Sequence, residues 1–168
     1  GKLTDGARKL GWIGFFLMAI GTIIATILIL TNDGTVLYTF YTPMAASPWF
    51  YIGLALLIVG SWVASFGLIT QYIRWRKKNK GKSSPLFAYM TIATLILWIH
   101  ASLAVAVSVV FLIIPWAFEW VERINVSLTR TLFWYFGHAL VYFWLLPAYI
   151  YWYVNIPQVV GGKIFSDS

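Results

Sequence analysis

Four stretches of this sequence contain no Asp, Glu, Lys or Arg: those between Lys9 and Asp33, Asp33 and Arg74, Lys82 and Glu119, and Arg130 and Lys163. Each exceeds the roughly 20 apolar residues that a helix needs to cross about 30 Å of hydrocarbon. A backbone in lipid must satisfy its own hydrogen bonds, and a β-barrel would need short alternating segments instead, so these runs are helices. The sequence therefore predicts an all-α, polytopic membrane protein. Four transmembrane helices, near Leu10–Thr31, Trp49–Ile73, Leu86–Phe118 and Thr131–Ile156, form part of a larger helical bundle. With 61% hydrophobic and 10% charged residues, the lipid bilayer is the natural solvent.

The formal charge of +7 has a topological rather than a nucleic-acid reading, so nucleic acid is not an expected partner. Lys2, Arg8 and Lys9 precede the first span, Arg74, Arg76, Lys77, Lys78, Lys80 and Lys82 fill the second connection, and Lys163 follows the fourth span. Only Arg123 and Arg130 lie on the other side. The positive-inside rule then makes both ends of the segment cytoplasmic. With no cysteine there is no disulfide, zinc cluster or thiol chemistry. The first span is long enough to stay in the membrane rather than be cleaved as a leader. A start without Met and a polar Gly161–Ser168 end are compatible with a piece of a longer polypeptide.

One membrane domain is the economical division, since no repeat of fixed period, low-complexity tract or soluble linker interrupts the spans. Gly11, Gly14 and Gly21 permit close helix approach in span one. The outer connection opens with the turn-forming Asn32-Asp33-Gly34, and its Tyr38, Phe40 and Tyr41 are expected at the membrane interface. The inner connection Arg74–Pro85 reads as an anchored, solvated loop. His100, near the middle of span three, needs a partner; a hydrogen bond to a neighbouring helix is favoured over metal ligation.

Span four is unusually rich in aromatic and hydroxyl groups. At about 100° per residue, with His138 as zero, Tyr142 falls near 40°, Tyr149 near 20° and Tyr153 near 60°, so one face carries all four. His138 and Tyr142 are close enough for side-chain contact, and a neutral imidazole is a good copper ligand. Geometry alone leaves open a histidine bonded to a neighbouring helix and tyrosines lining a packed interface.

The runs Arg130-Thr131-Leu132-Phe133-Trp134, Gly137-His138 and Val141-Tyr142-Phe143-Trp144-Leu145-Leu146-Pro147-Ala148-Tyr149 resemble helix six of the B-type haem-copper oxygen reductases. The likeness extends to Val36–Tyr41, to Ile113-Ile114-Pro115-Trp116, and to Gly161-Gly162-Lys163 with Ser166-Asp167, which makes the chain similar to helices three to six of subunit I. The resemblance implies that His138 binds the active-site copper and that Tyr142 is covalently joined to it. It implies a proton route through Tyr142, Tyr149 and Tyr153, and an oxygen pocket near Tyr38, Trp134 and Leu140. Ala139 stands where the family usually has Pro, and Leu140 replaces the glutamate of A-type members.

Haem and the remaining copper ligands are implied elsewhere in subunit I, since this segment has two histidines. The implied partners are the rest of subunit I, the electron-donor subunit II, cytochrome c or quinol, oxygen, and the lipid of a bacterial or archaeal plasma membrane. The implied activity is reduction of oxygen to water with coupled proton translocation. The alternatives are a non-enzymatic four-helix scaffold or small transporter, and nitric oxide reduction, against which Tyr142 argues.

Overall fold

A computed structural model of the chain describes residues 3–163; Lys2, Ser166 and Asp167, used above, lie outside the described residues. Four helices long and apolar enough to cross a membrane follow one another: α1 (Asp5–Leu30), α2 (Pro48–Lys78), α3 (Leu86–Ala117) and α4 (Val126–Val160). The fold class read from charge spacing is the one observed. The N-termini of α1 and α4 and the C-terminus of α2 extend past the charge-free windows, because a charged residue does not by itself stop a helix. Thr4 caps α1 by accepting from Ala7 N–H, and Asn125 caps α4 by accepting from Leu128 N–H at 3.0 Å. Gly161, with φ of 71°, closes α4 in the left-handed conformation. Arg74, Arg76, Lys77 and Lys78 belong to the last turns of α2, so the inner loop is shorter than expected and these cations sit at a helix C-terminus, where the dipole favours them.

In lipid no hydrophobic force drives one helix onto another, so close packing and polar links must do so. The α1–α2 hairpin uses the first. Ala7, Gly14 and Gly21 face Gly67, Gly60 and Gly53, each set spaced by seven residues, the period that keeps one seam in register along a left-handed supercoil. A Cβ on Gly14 would lie 2.5 Å from Gly60 O and 2.9 Å from Ala64 N, which are backbone atoms unable to step aside. Gly11, about 60° round α1 from Gly14, has open space. Gly60→Val is therefore expected to destabilise the protein by about 2–3 kcal/mol, as for overpacked cores, while Gly11→Ala stays within about 0.5 kcal/mol. Thermal unfolding in detergent checks both, and equal midpoints for the two variants would count against the seam.

The α2–α3 interface uses the second device. Trp62 Nε1–H donates to Ser102 Oγ at 2.7 Å, and Trp98 Nε1–H donates to Ser61 Oγ at 2.8 Å, so each helix gives the other an indole and a hydroxyl. Trp98 then packs on α4, its ring 5.7 Å from Phe136 and 4.8 Å from Phe143. The resulting core of Tyr51, Ala101, Val105, Val109, Ile113, Phe133 and Phe136 joins α2, α3 and α4. Within α3 a π-helical stretch, Ser108–Ile113, was not foreseen. Ile114 N–H reaches back to Val109 O, and the widened turn directly precedes Pro115, whose ring would crowd the carbonyl four residues earlier in a regular helix.

The outer connection departs from the interfacial expectation. Tyr38 is exposed, but Phe40 and Tyr41 turn inward and place their rings 5.2 and 5.4 Å from Phe133. A buried Thr42–Thr129 hydrogen bond of 2.7 Å ties this loop to the start of α4, and Arg130 lies over the Tyr41 ring at 4.9 Å. The loop is thus fixed against the outer end of the helix that carries the candidate site.

Candidate metal and proton site

Helix α4 has two unlike faces. Thr129, Phe133, Phe136, Gly137 and Ile150 are buried against the segment, whereas His138 and Tyr142 project from the opposite side and are exposed. The aromatic residues of the buried side supply the anchoring contacts, leaving the imidazole and phenols free for other partners. His138 and Tyr142 meet edge to face with ring centroids 4.9 Å apart, as their spacing of four residues requires. Among the described residues the His138 ring has no hydrogen-bonding partner, so a nitrogen lone pair is available to a ligand.

Tyr149 and Tyr153 continue the same exposed face, at 41% and 55% exposure beside 53% for Tyr142, and the Tyr149 ring packs 5.7 Å from Trp152. Tyr142 and Tyr149 stand roughly 10 Å apart along the axis, too far for one hydrogen bond. Of the three residues expected near an oxygen pocket, the structure brings one to this face. Trp134 is at about −40° from His138, while Leu140 lies near 200° and is half-buried against the core. Tyr41, rather than Tyr38, reaches Trp134, with ring centroids 6.4 Å apart; Tyr38 is 86% exposed.

His100 has the partner it needs. Its Nε2 is hydrogen-bonded to the Tyr135 hydroxyl on α4, with ring centroids 5.7 Å apart. Sequence reasoning overlooked Tyr135, although it lies three residues before His138 and near 60° on the same wheel. The described residues hold no group of three or more His, Cys, Asp or Glu able to enclose a metal. Any metal at His138 must take its other ligands from elsewhere.

These features define a class: a polytopic α-helical membrane segment with one apolar packing side and one exposed side bearing an imidazole and a row of phenols. The chain belongs to the cytochrome c and quinol oxidase polypeptide I family, whose sequence profile matches residues 4–168. It is similar to cytochrome c oxidase subunit 1 of Thermus thermophilus, with 39% identity over 156 residues, covering 93% of this chain and 28% of that protein. It also resembles the cryo-EM structure of a heme-copper terminal oxidase dimer, with a TM-score of 0.84 and 43% identity over 87% of this chain and 25% of the other. The chain thus spans about a quarter of the length of these relatives. A free-standing scaffold or small transporter is set aside by this membership.

Proposed function

We propose that this chain forms part of the catalytic subunit of a respiratory terminal oxidase, which reduces oxygen to water and couples the reaction to proton translocation. The observation that carries this reading is the His138–Tyr142 pair on the exposed side of α4, in a chain whose family is that of oxidase polypeptide I. The donor set fits one copper position: an imidazole with no hydrogen-bonding partner among the described residues, next to a phenol. The remaining copper ligands and the haem ligands belong to the longer subunit. Copper and haem, when bound, supply the redox chemistry at which oxygen is reduced.

The chain's own residues do the following. His138 holds the copper, and the outer loop fixed on Phe133 keeps that part of α4 in place. Tyr142, covalently joined to His138 in the mature protein, donates a proton and an electron at the site. Tyr149 and Tyr153 carry protons toward it from the cytoplasmic end, with water or hydroxyls of the longer subunit bridging the gap between Tyr142 and Tyr149. The ten basic residues at one side support this orientation, with both ends of the segment at the cytoplasm of a bacterial or archaeal cell. Electrons arrive from cytochrome c or quinol through subunit II. Oxygen uptake by the complete purified complex with a reduced donor tests the reading; a complex with intact haem and copper that consumed no oxygen would sink it.

A proton carrier and an interfacial anchor respond differently to loss of one hydroxyl. Phe keeps the apolar contacts of Tyr but has no exchangeable proton. Tyr149→Phe and Tyr153→Phe are expected to slow proton uptake and turnover about tenfold, with haem and copper contents unchanged. In oriented vesicles the affected uptake should come from the cytoplasmic side; wild-type kinetics in both variants would leave the two tyrosines as anchors. Trp134, the one of the three on the His138 face, is proposed to border the path of oxygen. Trp134→Leu should change the carbon monoxide binding rate severalfold without altering the resting optical spectrum, and an unchanged rate would leave Trp134 as a packing partner of Tyr41.

A further inference from the structure

We propose that Tyr135 is a second oxidisable tyrosine of the site, with His100 as the base that takes its proton. The inference rests on the proposed redox role of Tyr142 and extends it to a residue outside the His138–Tyr142 pair. Three observations converge on it. The Tyr135 hydroxyl and His100 Nε2 are hydrogen-bonded, one from α4 and one from the middle of α3. Tyr135 precedes Tyr142 by seven residues, so the two phenols lie within about 20° of each other on one helix face and about 10 Å apart along its axis. Both Tyr135 and His100 are exposed on the segment, as His138 and Tyr142 are, so the pair borders the same open side rather than the packed core.

A phenol gives up an electron readily only if its proton can leave at the same time, because the protonated radical is a very strong acid. In the interior of a membrane, bulk water is not at hand to accept that proton. A hydrogen-bonded imidazole is the one side chain that does so near neutral pH. With the imidazole proton on Nδ1, the phenol donates to Nε2. Oxidation then removes one electron from Tyr135, breaks its O–H bond and forms an N–H bond on His100. The products are a neutral phenoxyl radical and an imidazolium that donates back to it. The electron passes to the oxidised form of Tyr142, the neutral phenoxyl radical. With one proton delivered from the cytoplasmic tyrosine route, Tyr142 returns to the phenol. The reverse transfer restores both residues, so the pair holds an oxidising equivalent without net loss of atoms or charge.

The arrangement accounts for two features that packing does not. Tyr and His are costly choices for helix sides at membrane depth, where an apolar pair would satisfy packing alone. Their polar atoms are also directed at each other, although the interface between α3 and α4 already has Trp98, Phe136 and Phe143 as its apolar contacts.

The test uses the complete holoenzyme with ring-deuterated tyrosine, freeze-quenched after the reduced enzyme meets oxygen, and reads tyrosyl radicals by electron paramagnetic resonance. Two species are expected. Tyr135→Phe should abolish one while leaving haem, copper and the Tyr142 species intact. His100→Gln, which keeps a hydrogen-bonding partner for the phenol but cannot take up its proton, should lower that same species at least tenfold. In 15N-histidine-labelled enzyme the species should show coupling to an exchangeable proton on nitrogen. If the Tyr142 species and the metals are present but the spectrum of Tyr135→Phe equals that of the wild type, the inference falls and the proposed function stands. Wild-type radical yield in His100→Gln would likewise overturn the role of His100. Absence of the Tyr142 species in an enzyme with full metal content would remove both readings together.

Discussion

In the complete enzyme, His138→Ala should lose copper, with metal content falling roughly tenfold or more, while the helices remain assembled. The two halves of this outcome follow from the two faces of α4. His138 is exposed and is not part of the apolar contacts that hold α4 to α3, which Phe136 and Phe143 make with the Trp98 ring. Removing the imidazole therefore deletes a ligand without opening a cavity in the core, unlike Phe136→Ala, which is expected to cost about 3–5 kcal/mol. Metal analysis beside thermal unfolding in detergent checks the pair of variants. Wild-type copper in His138→Ala would defeat the assignment; lost copper with a collapsed bundle would show that the imidazole is structural.

The transmembrane architecture was legible because lipid imposes it with few residues. The charge-free intervals bounded by Lys9, Asp33, Arg74, Lys82, Glu119, Arg130 and Lys163 locate all four helices. Their ends were less legible. Arg74 to Lys78 continue α2, because exposed cations are favourable in a last helical turn and do not themselves stop a helix. The glycine seam was half seen. Gly11, Gly14 and Gly21 were read as packing positions in span one; Gly11 has open space instead, and the matching Gly53, Gly60 and Gly67 become informative only when α1 and α2 are laid antiparallel.

The candidate site shows the same division between local and non-local information. The shared face of His138, Tyr142, Tyr149 and Tyr153 follows from helical periodicity alone, and the His138–Tyr142 contact is one turn long. The partner of His100 could not be read in that way, since Tyr135 is 35 residues distant and reaches it only through the docking of α3 on α4. The inward turn of Phe40 and Tyr41 has a similar origin: an aromatic cluster between spans fits an interfacial belt or a helix-capping plug equally well, and the Thr42–Thr129 bond selects the second. The π-helical turn at Ser108–Ile113 has a local cue in Pro115, but proline in a membrane helix also produces simple kinks.

Tyr142→Phe is the substitution expected to cost the most activity for the least change in structure. The variant loses one oxygen atom from a ring that is 53% exposed on the segment and has no place in the packed core. Its fold and its edge-to-face contact with His138 should persist, because the aromatic faces are unchanged. What disappears is the only proton donor of the pair, since His138 is assigned to metal binding, and with it the group that yields an electron and a proton together. Loss of a positioned acid alone costs about 10²–10⁴-fold, so turnover should fall by at least about 10²-fold at full haem and copper content. Mass spectrometry separates this effect from a positional one. A peptide containing residues 138 to 142 should carry the His138–Tyr142 cross-link in the wild type and lack it in the variant, where no phenol oxidation can form it. Wild-type turnover in Tyr142→Phe would show that the proton and electron come from another residue, whereas a wild-type peptide without the cross-link would leave Tyr142 as an edge-to-face neighbour of His138.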